Sequence, residues 1–109
     1  MVTRLQQLNA ERLAQREALR ATVRQQLRTA LANLESVGKV IVFGSLVRCG
    51  VFHEDSDVDV AFEALPPGWS LYGLTAWLAE QLGRPVDVIL LPECRFRGAI
   101  EREGEAWTS

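Results

Sequence analysis

Only two cysteines, one histidine, one tyrosine and four prolines occur among the 109 residues. Two cysteines are too few for a disulfide-stapled scaffold, and Cys49 and Cys94 lack the paired spacing of a metal site. They are read as reduced thiols. No apolar run approaches the ~20 residues that a membrane-spanning helix needs. The chain shows no charged n-region followed by an apolar stretch, so no secretory signal is expected. Together these absences point to a cytoplasmic protein. What is present, 48% hydrophobic and 24% charged residues, describes an ordinary soluble globular chain. Its length fits one domain, or one domain with a helical extension.

The net charge of -2 hides an asymmetry. Residues 1–39 carry seven basic side chains against three acidic ones, a net +4. Residues 40–109 carry five arginines against eleven acids, a net -6. A basic segment therefore leads into an acidic body, and acidity is what a cation site requires.

Between Thr3 and Ser36 there is neither glycine nor proline, and Ala, Leu, Gln, Glu and Arg dominate. This composition predicts a long helix, with Thr3 as its N-cap and Gly38 as the left-handed residue that ends it. Leu19, Val23, Leu27, Leu31 and Leu34 recur at steps of three and four, which makes one apolar stripe. Leu5, Leu8 and Leu13 are less regular, so the first half projects from the body or forms a separate helix. "KVIVF" (39–43) follows as a buried strand closed by Gly44-Ser45. "DVDVAFE" (57–63) alternates, placing Asp57, Asp59, Ala61 and Glu63 on one face and Val58, Val60 and Phe62 on the other. A loop at 65–70, a helix at 70–82 ended by Gly83, a strand at 85–91 and a short helix at 95–103 complete the pattern. Such an order predicts an α/β (α+β) fold, a small mixed sheet flanked by helices.

Asp57 and Asp59 interrupt an otherwise apolar strand, although acids are depleted in strands and rarely buried alone. Residues two apart point the same way, with Cβ atoms roughly 6–7 Å apart, so both carboxylates can meet a divalent cation. Two-metal sites hold their ions ~3.5–4 Å apart and activate an attacking oxygen while stabilising a leaving one. Mg²⁺ suits this arrangement because it shares its shell with substrate phosphates. Asp87, in "PVDVIL", breaks a second apolar run and supplies a third carboxylate from a neighbouring strand. Gly44-Ser45 lets backbone N–H groups and a hydroxyl approach a phosphate, and Arg48 adds a fork of donors. Singly, each feature has an ordinary explanation: a chance pair of acids, a turn, a solvated strand end. Their order along the chain favours a metal–nucleotide site. His53 is read as a surface loop residue, and Ser56 as a turn-former rather than a catalyst.

"FGSLVRCGVFHEDSDVDVAFE" followed by "GRPVDVILL" resembles the minimal nucleotidyltransferase group of the DNA polymerase β superfamily, over about residues 38 to 104. By that resemblance, residues 1–37 form an N-terminal helical segment and 38–109 the nucleotidyltransferase domain of one globular unit. The resemblance implies that Gly44 and Ser45 contact triphosphate, with Arg48 beside it and Ser56 in the nucleotide-binding group. It implies that Asp57, Asp59 and Asp87 are catalytic and hold two Mg²⁺ ions, with Asp87 accepting the proton of the attacking group. The family places glycine directly after the arginine; here Cys49 stands there and Gly50 follows, one residue later. Members are commonly antitoxins that silence a HEPN-domain ribonuclease toxin by moving AMP from ATP to a tyrosine. With no second domain to hold an acceptor, the acceptor is expected from such a partner. Two alternatives stay open: a nucleotide-binding module that neutralises its partner sterically, and a small-molecule nucleotidyltransferase.

Arg12, Arg16, Arg20, Arg24 and Arg28 recur every four residues. Each step drifts by ~40° on a helix, so they make a slanting basic ridge. It is either a solvated face or a docking surface for an acidic protein; few aromatics interleave it, which disfavours single-stranded nucleic acid. The same amphipathic helix is a candidate for homo-oligomer formation. Trp69, Tyr72 and Trp77, on or beside one helix, are assigned to core or interface packing.

Overall fold

The computed structural model describes residues 3–107. Helix α1 runs from Arg4 to Ala32, long because nothing in its sequence breaks it. Thr3 caps it as expected: its hydroxyl accepts from the Gln6 amide at 3.1 Å, while the Gln6 side chain accepts from the Thr3 amide at 2.9 Å. The helix stops earlier than the sequence suggests. Asn33 is its C-cap, and the left-handed residue beyond it is Ser36 (φ 54), not Gly38. Leu34 is nevertheless buried, so the turn after the helix keeps the apolar stripe going.

Four strands form one sheet in the order β3-β2-β1-β4: β1 Val40–Phe43, β2 Val58–Phe62, β3 Val86–Leu90 and β4 Glu105–Trp107. β1 pairs antiparallel with β2 and with β4, whereas β2 and β3 are parallel. A parallel pair needs a crossover, and α2 (Leu71–Leu82) supplies it. Ser70 caps α2 by accepting from the Gly73 amide at 3.0 Å, and Gly83 (φ 65) closes it. A 3₁₀ turn, Gly44–Val47, follows β1, another (Leu91–Glu93) follows β3, and α3 (Arg97–Glu103) leads into β4. The sheet is mixed and flanked by helices.

The alternation read in the sequence divides the sheet into two faces. Val40, Val42, Val58, Val60, Phe62 and Val86 join Val23, Leu27 and Leu31 of α1 and Leu74, Leu78 and Leu82 of α2 in the main core. Trp69 and Trp77 pack against this core with ring centroids 5.4 Å apart. On the opposite face, Ile41 and Ala61 meet Leu91 and Ile100 in a smaller cluster under α3. Glu63 lies on the α3 side and pairs with both terminal nitrogens of Arg97, at 3.1 and 2.8 Å.

α1 buries its apolar stripe only in its second half, from Val23 on. Residues 3–16 are exposed throughout, and the molecule measures 56 × 28 × 21 Å. The arginine ridge is mostly spent inside the fold. Arg20 Nε donates to the Leu46 carbonyl at 2.8 Å, and Arg24 grips Glu105 through two bonds, at 3.2 and 2.6 Å. The guanidinium carbons of Arg24 and Arg28 lie 5.2 and 5.0 Å from the centre of the Trp107 ring. These contacts fasten β4, a strand too short to be visible in the sequence. Cys49 and Cys94 are both free, and no described helix is long and apolar enough to cross a membrane.

Candidate active site

Register places the acids. Phe43 pairs with Asp59, and Asp59 pairs with Asp87, so one transverse row of the sheet reads Phe43–Asp59–Asp87. The adjacent row, Ile41–Ala61–Ile89, is the one that α3 covers. Asp87 is exposed and Asp59 half-buried, at the uncovered margin of that face. Asp57, exposed, precedes the first residue of β2.

Burial pushes the Asp59 carboxyl up to about 6, assisted by the charges of Asp87 and Asp57 and by a hydrogen bond with Asp87. Asp59 therefore senses both of the other acids. Among the described residues they do not close into a ready-made three-ligand cage. Mg²⁺ does not require one, since it is commonly bound through one or two carboxylates plus substrate phosphates. A half-buried acid that resists ionising beside two others is the donor set a divalent cation satisfies, so these residues fit the group.

Gly44 begins the turn after β1, with φ 75. A Cβ at this position would run into the Asp59 carboxylate oxygen. Glycine is thus demanded twice, by backbone conformation and by the acid lying against it. Ser45 and Arg48 belong to the same turn, and neither side chain has a hydrogen-bond partner among the described residues.

The displaced glycine is accommodated. Gly50, not Cys49, carries the positive φ, at 79°. Its amide donates to Glu17 at 2.9 Å, and Arg16 donates to its carbonyl at 3.4 Å. The Cys49 thiol also donates to Glu17, at 3.3 Å, which raises the thiol's pKa, while the Gly50 amide first and this thiol second lower that of Glu17. α1 thus anchors residues 46–50 through Arg16, Glu17 and Arg20. Glu17 lies 33 positions from Gly50, and no local pattern in the sequence announces it.

Ser56 is buried and turned inward. Its hydroxyl accepts from the His53 amide at 3.0 Å, and its own amide donates to the His53 carbonyl at 3.0 Å. His53 Nδ1 accepts from the Asp55 amide at 3.2 Å on the exposed side of the turn. Arg84, which sequence reasoning passed over, holds this turn from the connection between α2 and β3 (Nη1 to the Ser56 carbonyl, 3.0 Å). Its one signal was being the only charged side chain in "GRPV". Among the described residues, two clefts lie elsewhere: one of about 580 Å³ beside Trp107 and Arg28, one of about 420 Å³ between Arg12, Arg16 and His53. The carboxylates stand on an open margin.

The family model for the nucleotidyltransferase domain matches residues 24–106. The chain belongs to the nucleotidyltransferase domain family. A solved structure proposed to be a minimal nucleotidyltransferase is 35% identical, with a TM-score of 0.52, over 82% of this chain and 92% of that one. A toxin–antitoxin solved with AMP-PNP is 22% identical, with a TM-score of 0.57, over 83% of this chain and 73% of the other. The toxin–antitoxin MntA-HepT is 18% identical, with a TM-score of 0.51, over 85% and 73%. These last two share the fold. No curated protein matches the chain.

Proposed function

We propose that this nucleotidyltransferase is an antitoxin that moves AMP from ATP onto a tyrosine hydroxyl of a HEPN-domain toxin. The observation that carries the proposal is the row Phe43–Asp59–Asp87, with Gly44 against Asp59. The partner is argued from the fold shared with two toxin–antitoxin structures.

Asp57, Asp59 and Asp87 would hold Mg²⁺, which when bound neutralises phosphate charge and activates an attacking oxygen. The protein's own contributions follow from position. The Gly44-Ser45 turn offers backbone N–H groups and a free hydroxyl to the triphosphate, and Arg48 offers an uncommitted guanidinium. Ser56, in the nucleotide-binding group by resemblance, also shapes the turn before Asp57 through its bond from the His53 amide. Asp87, exposed at the end of the row, takes the proton of the acceptor hydroxyl as its oxygen bonds the α-phosphorus of ATP, the bond to the β-phosphate breaks and pyrophosphate leaves. The positive φ carried by Gly50 rather than Cys49 supports the catalytic reading over a purely steric one.

The test is to incubate the protein with α-labelled ATP, Mg²⁺ and a HEPN toxin encoded beside it. Label is expected on the toxin with wild type and not with Asp57→Ala/Asp59→Ala. Toxin neutralised without label, or labelled equally by the variant, would refute the proposal.

A further inference from the structure

Arg84 stands between two fixed points of the backbone. Before it, Gly83 caps α2, and the Arg84 amide itself donates to Ala79 at 3.3 Å. After it, the Pro85 carbonyl accepts from the Val58 amide at 3.1 Å, where β2 and β3 come together. From this position the side chain reaches across to the segment that leads into β2. Its Nη1 lies 3.0 Å from the Ser56 carbonyl and 3.4 Å from the carbonyls of both His53 and Glu54. Its guanidinium carbon lies 4.8 Å from the ring centre of Phe52, which is wholly buried.

One cationic group thus gathers three carbonyls of a single turn and stacks on the residue that roots that turn in the core. The arrangement has a cost, because Arg84 Nε is buried with no partner. An unpaired buried donor is destabilising. The side chain is held there by its terminal nitrogen and its stacking, not by complete satisfaction of its own donors.

The residue after this turn is Asp57. Because β2 begins at Val58, Asp57 lies outside the ladder, and the turn before it fixes its approach. We propose that Arg84 is a positioning residue for the carboxylate site, holding the 53–56 turn so that Asp57 meets Asp59 and Asp87 and thereby setting divalent-cation affinity. This inference rests on the nucleotidyltransferase reading of the three aspartates. The physical basis is preorganisation: a ligand group held in place loses less freedom when a cation arrives.

The experiment uses the full chain, Mg²⁺ and a non-hydrolysable ATP analogue. Arg84→Met keeps an apolar stem over Phe52 and removes every donor, whereas Arg84→Lys restores a charged donor. Calorimetric titration is to be run across Mg²⁺ concentrations, with amide hydrogen exchange followed at residues 53–58. Arg84→Met should raise the Mg²⁺ half-saturation for nucleotide binding about 10-fold. Affinity at saturating Mg²⁺ should stay near wild type, exchange should accelerate in the turn, and Arg84→Lys should recover part of both. A folded Arg84→Met with half-saturation within about twofold of wild type would overturn the inference, whatever its melting temperature. If Arg84→Met does not fold, Arg84→Lys decides by the same two measurements, since one ammonium cannot also stack as a guanidinium does. A wild type that binds nucleotide without regard to Mg²⁺ or to Asp57 and Asp59 refutes the site itself, and reduces Arg84 to a structural role.

Discussion

A Cβ atom on Gly44 would occupy the space of the Asp59 carboxylate, so the turn after β1 and the acid on β2 share one volume. Substituting one must displace the other. Gly44→Ala should cost at least ~1–2 kcal/mol for its left-handed backbone. It should also lower transferase activity about 100-fold by moving the acid. Gly68→Ala is the control: it has φ 84 but no atom within 4 Å of the added carbon. Urea melts with activity assays separate the two effects, and equal activity in both variants would contradict the geometry.

Asp59 binds its proton more tightly in the folded than in the unfolded chain, because its pKa rises from 3.8 to about 6. Its stabilising contribution is therefore full below pH ~4 and lost as pH climbs through about 6. Glu17, Glu101 and Glu105 are shifted downward and act in the opposite sense, below their ordinary value of 4.5. Between pH 4.5 and 7 the metal-free protein should lose about 1–2 kcal/mol, after allowance for solvent screening at a half-buried acid. Asp59→Asn should abolish the decline, and millimolar Mg²⁺ should reduce it. Denaturant midpoints at the two pH values measure both.

Glu17 keeps the Cys49 thiol protonated by accepting its hydrogen bond and by charge repulsion of the thiolate. In a Cys94→Ser background, Glu17→Gln should increase the rate of Cys49 alkylation at neutral pH. The same variant should weaken nucleotide binding, since the Gly50 amide loses its carboxylate partner. An unchanged alkylation rate would mean that Glu17 does not govern this loop.

Leu5 and Leu8, 69% and 42% exposed, lie on the part of α1 that extends past the body. Leu5→Glu/Leu8→Glu should leave stability within about 0.5 kcal/mol. If the arm takes part in assembly with the toxin or with a second copy, the double variant should lose that assembly in size-exclusion chromatography. Retained assembly would assign the contact to another surface.

Periodicity and composition made most of the architecture legible in advance. Alternation in 57–63 foretold which β2 residues share a face, because half-buried strands must sort side chains by solvent; the structure puts α1 and α2 on the valine side and α3 on the other. The sequence also offered all three acids, since Asp59 and Asp87 interrupt apolar runs and Asp57 stands two residues before Asp59. Less visible was anything resting on distant pairing. β4 is only three residues long and is fastened by Arg24 from the far end of the chain, 81 positions away. The helix end was misplaced because Gly38 looked like the natural stop, whereas Ser36 accepts the positive φ that local propensity reserves for glycine. Arg84 escaped notice because its partners are carbonyls, which carry no residue identity at all.

The arginines that bind β4 and the turn after β1 to α1 also determine what a charge-reversal scan of that helix would measure. Replacing Arg20 or Arg24 with glutamate removes a clamp on Leu46 or Glu105 before any partner is involved. Such variants will misfold or loosen first, and lost complex formation in cells will mirror reduced abundance. Arg4, exposed at the start of the arm, can be reversed as a clean probe of recognition.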